Sequence, residues 1–156
     1  MAYRIDPLPL AVARPLFALS DAGLVAIGAR RMVADRPNGA PCRVSLVDAE
    51  PGESLILFSH AHLTDPTSPY RAGGPVFVRE AAQPADPVID AVPGMLSRRL
   101  LSMRLYDADW MMIEADVVEG ADLDRRLSEA FRDPSVGTIH LHTARRGCFM
   151  AAARRA

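Results

Sequence analysis

The only four histidines of the chain fall into two pairs of identical spacing, His60 and His62 in FSHAHLTD and His140 and His142 in IHLHTARRGCF. An imidazole titrates near neutral pH, so it can act as general acid or base, and either ring nitrogen can ligate a metal. On an extended strand, residues two apart share a face with Cα atoms ~6.7 Å apart, so each pair offers two imidazoles able to converge on one ion. All four could meet only if the strands that carry them came together, and no local feature of the sequence demands this. The expectation is therefore no resident metal and no cofactor, with the histidines lining a polar sheet face.

The C-terminal pair sits in the richer context. His140 and His142 could serve as acid or base, Cys148 follows Gly147 and could act as a nucleophile, and Arg145 or Arg146 could hold an anion. A lone cysteine before Phe149 is more often a small buried core residue, and Cys42 in PCRVSL reads the same way. Tyr70 and Arg71 precede Gly73-Gly74, where backbone can approach a ligand closely; a structural turn with a surface arginine is the plainer account. The candidate catalytic residues are thus His140, His142 and Cys148, and the candidate ligand-binding residues Tyr70, Arg71 and Arg145. Asp107, Asp109, Glu114 and Asp116 in YDADWMMIEAD could bind a hard cation, but a turn and a solvated strand face explain them as well. Trp110 and the methionines after it read as core or interface.

Composition bounds the function classes. The 156 residues suit one domain, and 49% hydrophobic with 24% charged residues is the balance of a globular protein. A net charge of −1 argues against broad nucleic-acid binding, which requires a local excess of cations. All 18 positive side chains are arginine, the residue suited to bidentate carboxylate or phosphate recognition. Two distant cysteines form no CxxC pair, prolines and Arg14 interrupt the apolar start, and no run is long enough to span a bilayer, so a reducing cytoplasm is expected.

The elements that must position these residues alternate in type. Ser20 is an N-cap for a short helix over DAGLVAIGA. CRVSL (42–46) and SLILFSH (54–60) flank a Pro-Gly turn and suggest a hairpin, and PVFVRE (75–80) is a third strand. RRLLSMRLY (98–106) is read as strand. DWMMIEADVV (109–118) alternates Met112, Glu114 and Asp116 against Met111, Ile113, Ala115 and Val117, the pattern of a half-buried strand. Leu123, Leu127, Ala130 and Phe131 form a helical stripe in ADLDRRLSEAFRDP, and GTIHLHTA returns as a strand. The sum is an α+β single domain with a mixed, mainly antiparallel sheet and two or three short helices.

PCRVSLVDAEPGE, SPYRAGGPVFVRE, YDADWMMIEADVVEG and HLHTARRGCF, in this order and spread over nearly the whole chain, resemble a bacterial family known as the domain of unknown function numbered 1203. The resemblance implies a single-domain bacterial protein and brings no activity. His140, His142, Arg145 and Cys148 fall inside a resembling stretch, while His60 and His62 do not, which weighs against a four-histidine site. Two function classes follow: a small-molecule binding or enzymatic domain, its ligand possibly anionic, with a His/Arg pocket near the C-terminal strand; or a noncatalytic protein-interaction domain using a sheet edge or the arginine-rich surface. A His-based metal-binding protein is the third reading. No nucleic acid and no membrane are expected as partners, and the chain is expected as a monomer or small homo-oligomer.

Overall fold

A computed structural model describes all residues from Met1 to Ala156. In chain order the elements are β1 (Tyr3–Asp6), α1 (Leu10–Phe17), α2 (Asp21–Ala26), β2 (Arg30–Val33), β3 (Pro41–Cys42), β4 (Val47–Asp48), β5 (Ser54–Leu63), β6 (Ala72–Arg79), α3 (Gly94–Ser97), β7 (Leu100–Tyr106), β8 (Met112–Glu119), α4 (Leu123–Ala130), β9 (Thr138–Thr143) and β10 (Phe149–Arg155). The class is α+β, as the sequence suggests. The pairing is divided between two five-stranded sheets, and there are four short α-helices.

The first sheet, ordered β1-β10-β9-β7-β8, is antiparallel throughout. Its inner face carries Leu101, Met103, Leu105, Ile139, Leu141, Ala151 and Ala153 against Leu123, Leu127 and Phe131 from the α4 stripe. Each fully buried Leu or Ile here is worth ~1.5–3 kcal/mol. Gly120, in the single 3-10 turn before α4, exists for a steric reason: a Cβ there would lie 2.1 Å from the Leu96 carbonyl oxygen. Asp124 in the first turn favours this helix end, and Arg155 binds the carbonyls of Phe131 and Asp133 just beyond its other end.

The second sheet, ordered β2-β5-β6-β3-β4, is mixed, because β3 runs parallel to β6. Ile56, Phe58, Val76 and Val78 pack on Ala13 and Leu24 from α1 and α2. The Ser20 Oγ accepts from the Gly23 N–H, the expected N-cap of α2.

Two local readings are corrected. Residues 42–46 and 54–60 do not form a hairpin: the strand ends at Cys42, a tight turn follows with the Leu46 N–H donating to the Cys42 carbonyl, and β5 pairs instead with β2 and β6. β8 is a strand as expected, but not a half-buried one: Ile113, Glu114, Ala115, Asp116 and Val117 are all exposed at the sheet edge, Val118 alone is buried, and Asp116 pairs with Arg126 of α4.

Candidate functional site

The outer face of β9 departs from the pattern of a solvated sheet. Thr138, His140 and His142 alternate with the core residues Ile139 and Leu141, yet both histidines are as buried as the core, at 1% and 0% exposure. Register explains part of this. His140 lies opposite Ala152 on one side and Arg104 on the other, and His142 opposite Phe149 and Ser102. Phe149 therefore covers the pair from β10, its ring 5.2 Å from His140 and 5.6 Å from His142.

The remaining cover comes from the other sheet. On β5, His60 and His62 continue the row of Ile56 and Phe58 past the end of the second core, and a register shift between Ala61 and Leu63 marks a bulge at His62. A bulge bends its strand and re-aims a side chain. Gly73, opposite Ala61, is required by the resulting approach, since a Cβ would sit 3.0 Å from the His60 carbonyl oxygen. His62 thereby stacks flat on Phe149 at 5.0 Å and brings its ring 5.7 Å from His140 and 4.9 Å from His142. Further register shifts occur in β10 beside Phe149 and in β7 beside Tyr106, so irregular pairing surrounds the cluster.

One ring nitrogen from each of His62, His140 and His142 lies within 4.8 Å of the others. Three ring nitrogens, His62 Nδ1, His140 Nδ1 and His142 Nε2, are buried with no hydrogen-bond partner. A buried polar atom left unpaired costs ~1–3 kcal/mol, and three in one cluster call for an explanation. The opposite nitrogen of His142 shows the arrangement expected of a ligand: Nδ1–H donates to the Gly147 carbonyl at 2.9 Å, which fixes the tautomer and leaves Nε2 as a lone-pair donor.

Electrostatics keep the rings neutral. Burial, with the positive neighbours Arg104 and the other imidazoles, lowers His62 to about 4, His140 to about 3 and His142 to about 4. Arg154 adds to the effect at His140 and Arg43 at His142, where the hydrogen bond to Gly147 works the other way. Burial also lowers His60. Arg104 itself has no carboxylate partner and donates to Ser102 Oγ at 3.3 Å.

The cluster opens on a cleft of about 570 Å³ lined by His60, His62 and His140, with Arg4, Asp6 and Arg154 along one wall and Asp65 and Trp110 at others. Asp6 is shared between Arg4 and Arg154. Trp110, 5.6 Å from His140, has φ of +59°, a left-handed conformation that a bulky residue rarely adopts. Its carbonyl accepts from the buried Ser68 hydroxyl at 2.8 Å, and Asp107 Oδ1 accepts the N–H groups of Asp109 and Met111 on either side, so the turn is held in this state. The acids of YDADW thus shape a turn, and Asp107 and Asp109 join no cation cluster.

The expected site residues are separated. His140 and His142 share one face of β9, as expected, and meet in the cluster, where His62 of β5 reaches them. Here the structure departs from the reasoning against a metal, which rested on unsupported convergence: three of the four imidazoles do converge, across the two sheets and not between neighbouring strands. Arg145 lies beyond the end of β9 as expected, but in a hollow with Arg98, Arg99 and Arg146 that contains no histidine. Cys148 lines a third hollow with Arg43 and Thr143. Tyr70 stands beside Tyr106, ring centroids 6.1 Å apart, and Arg71 is exposed without an ion pair. Gly73 and Gly74 belong to β6, so the loop read there is a strand. Cys42 is core, as read, and both thiols are free.

Sequence reasoning missed Trp110, Phe149, Arg104, Arg154 and Asp6. Only Trp110 left a signal, a lone tryptophan after an Asp-rich turn; the others become site residues through strand register alone.

The family described as "Protein of unknown function (DUF1203)" matches residues 39–155. No curated protein and no solved structure matches the chain. The chain therefore belongs to that family.

Proposed function

We propose that this member of the family is a metal-dependent small-molecule-binding protein, whose ion is held by His62, His140 and His142 at the floor of the cleft. The observation that carries this reading is the convergence of one ring nitrogen from each of three histidines on two sheets, each of which also has a buried ring nitrogen without a partner. Imidazole ligands at ~2.0–2.1 Å suit Zn²⁺ and other divalent first-row metals, and the tetrahedral N···N spacing of ~3.3 Å asks only for small ring movements from the present positions. Neutral rings need lose no proton to bind. Three protein ligands leave a coordination position open, and an ion so bound lowers the pKa of water to ~7 or polarises a carbonyl oxygen. His60 is the further imidazole lining the cleft, and Arg4 and Arg154 share the single carboxylate of Asp6 on its wall, so the class of ligand that fits is a small anion or carbonyl compound that reaches the ion.

Free thiols at Cys42 and Cys148 fit a reducing cytoplasm of a bacterial cell. No helix is long and apolar enough to cross a membrane.

Titration of EDTA-treated protein with Co²⁺, followed by visible absorption, tests the proposal. One ion per chain is expected, with a spectrum of nitrogen ligation and at least a hundredfold weaker binding in His62→Gln, His140→Gln and His142→Gln. Binding unchanged in these variants, or no saturable binding by the wild-type chain, would refute it.

A further inference from the structure

A second feature of the chain lies outside the histidine cleft. Beyond the end of β9, two adjoining hollows of about 270 and 390 Å³ share Arg99, Thr143 and Arg146. Together they are lined by six arginines, Arg36, Arg43, Arg98, Arg99, Arg145 and Arg146, and by no carboxylate. The acid that reaches this group is Asp48, which is spent on Arg98 and Arg99. Arg36, Arg43, Arg145 and Arg146 have no ion pair, in a protein whose net charge is −1.

Arg43 shows that this is built and not a chance gathering of surface charge. It is 2% exposed, and a buried guanidinium without a carboxylate is costly. Its Nε donates to the Phe149 carbonyl at 2.8 Å and its Nη1 to the Pro41 carbonyl at 2.5 Å. These bonds fix the plane and leave Nη2 without a partner in the protein, on a side chain that borders the hollow with Cys148. The turn opposite is equally fixed: Gly147 at φ +75° closes it, its N–H donates to the Thr143 carbonyl, and the Cys148 N–H donates to Thr143 Oγ1.

We propose that these hollows form a binding site for a small molecule carrying a phosphate or pyrophosphate group, with Arg43 as the buried anchor and Arg36 and Arg146 closing on the anion from the rim. Guanidinium forks match phosphate oxygens pairwise, which a spherical ion or a monocarboxylate exploits less fully. The size admits a diphosphate with a modest organic substituent; it is too confined for a nucleic-acid duplex to occupy by its backbone alone.

The probe is inorganic pyrophosphate, titrated calorimetrically at fixed ionic strength into EDTA-treated protein, so that metal stripping contributes nothing. One site per chain is expected. Arg36→Gln and Arg146→Gln should each weaken it by ~10-fold or more, the scale of one charge-assisted hydrogen bond. Arg132→Gln, remote from the hollows, should leave it unchanged, and binding by protein that is metal-free throughout separates this site from an ion held in the histidine cleft. Saturating pyrophosphate should also slow alkylation of Cys148 by at least fivefold. Equal affinity in the Arg36→Gln/Arg146→Gln double variant would overturn the proposal. So would an absence of saturation by 10 mM pyrophosphate, or binding of a single-stranded oligonucleotide with no competition from pyrophosphate.

Discussion

If the histidine cluster is kept for an ion, removing one imidazole should stabilise the metal-free fold. His140 is the sharpest case: it is almost wholly buried, its Nδ1 has no partner, and Tyr106, Trp110 and Phe149 surround it at ring distances of 5.1, 5.6 and 5.2 Å. Leucine is close in size and carries no polar atom. Replacing an unpaired polar group by an apolar one recovers ~1–3 kcal/mol, and imperfect packing of a branched chain in a ring-shaped space takes back up to ~1 kcal/mol. The net expectation is a gain of about 1–2 kcal/mol, or a rise in Tm of ~2–8 °C for a chain of this length. The assay is thermal denaturation with excess EDTA, repeated with added Zn²⁺. Wild-type protein should gain ~4 kcal/mol at a thousandfold excess of free ion over Kd, and His140→Leu should gain almost nothing. A histidine retained for structure would give the opposite pattern. A variant that melts lower than wild type in EDTA, while keeping the zinc-dependent rise, refutes the reasoning.

Other outcomes follow from the same geometry. Because His62, His140 and His142 are held to about 4, 3 and 4, metal affinity should be nearly flat from pH 7.5 to 5.5 and fall only as pH drops toward 4, whereas ordinary imidazoles would lose affinity through 6.5. In the metal-free chain these depressed values make stability complete above pH 6.5 and lost progressively as pH falls toward the folded values, since the unfolded rings take up protons first; urea midpoints across that range check it. Gly120→Ala should cost at least ~3 kcal/mol, because the new Cβ meets the Leu96 carbonyl oxygen at 2.1 Å in backbone that cannot yield, as denaturant unfolding will show. Ser68→Ala should cost ~1 kcal/mol by releasing the Trp110 carbonyl and should weaken metal binding less than any histidine change. Thiol titration of the native protein should find one fast-reacting cysteine, Cys148, and a second, Cys42, after denaturation.

The strongest local patterns survived folding. The α4 stripe, the Ser20 cap and the strand at GTIHLHTA were legible because each is a property of neighbouring residues. What the sequence concealed was set by distant partners. FMAAARR reads as a helix former by propensity, yet it is β10, because β1 and β9 flank it and bury its alanines. Pro15 obscured α1, and Val47-Asp48 is too short a strand to announce itself. The same division holds for the site. The shared face of each HxH pair follows from the period of a strand, so it could be read. The meeting of His62 with His140 depends on a bulge, on a glycine in β6 and on the docking of two sheets, none of which leaves a periodic trace.

The pairing of β1 with β10 has a consequence for the order of events during synthesis. β1, which precedes the other strands of the fold in chain order, finds its only neighbour in β10, which follows them, with Tyr3 opposite Arg155. The second sheet, complete by β6, can assemble early, but β1 stays unpaired until β10 has emerged. His62 then waits for its two companions across almost the whole remaining length of the chain. An ion bound by all three would consequently require both sheets to be formed and docked, so its capture would have to follow the synthesis of β9.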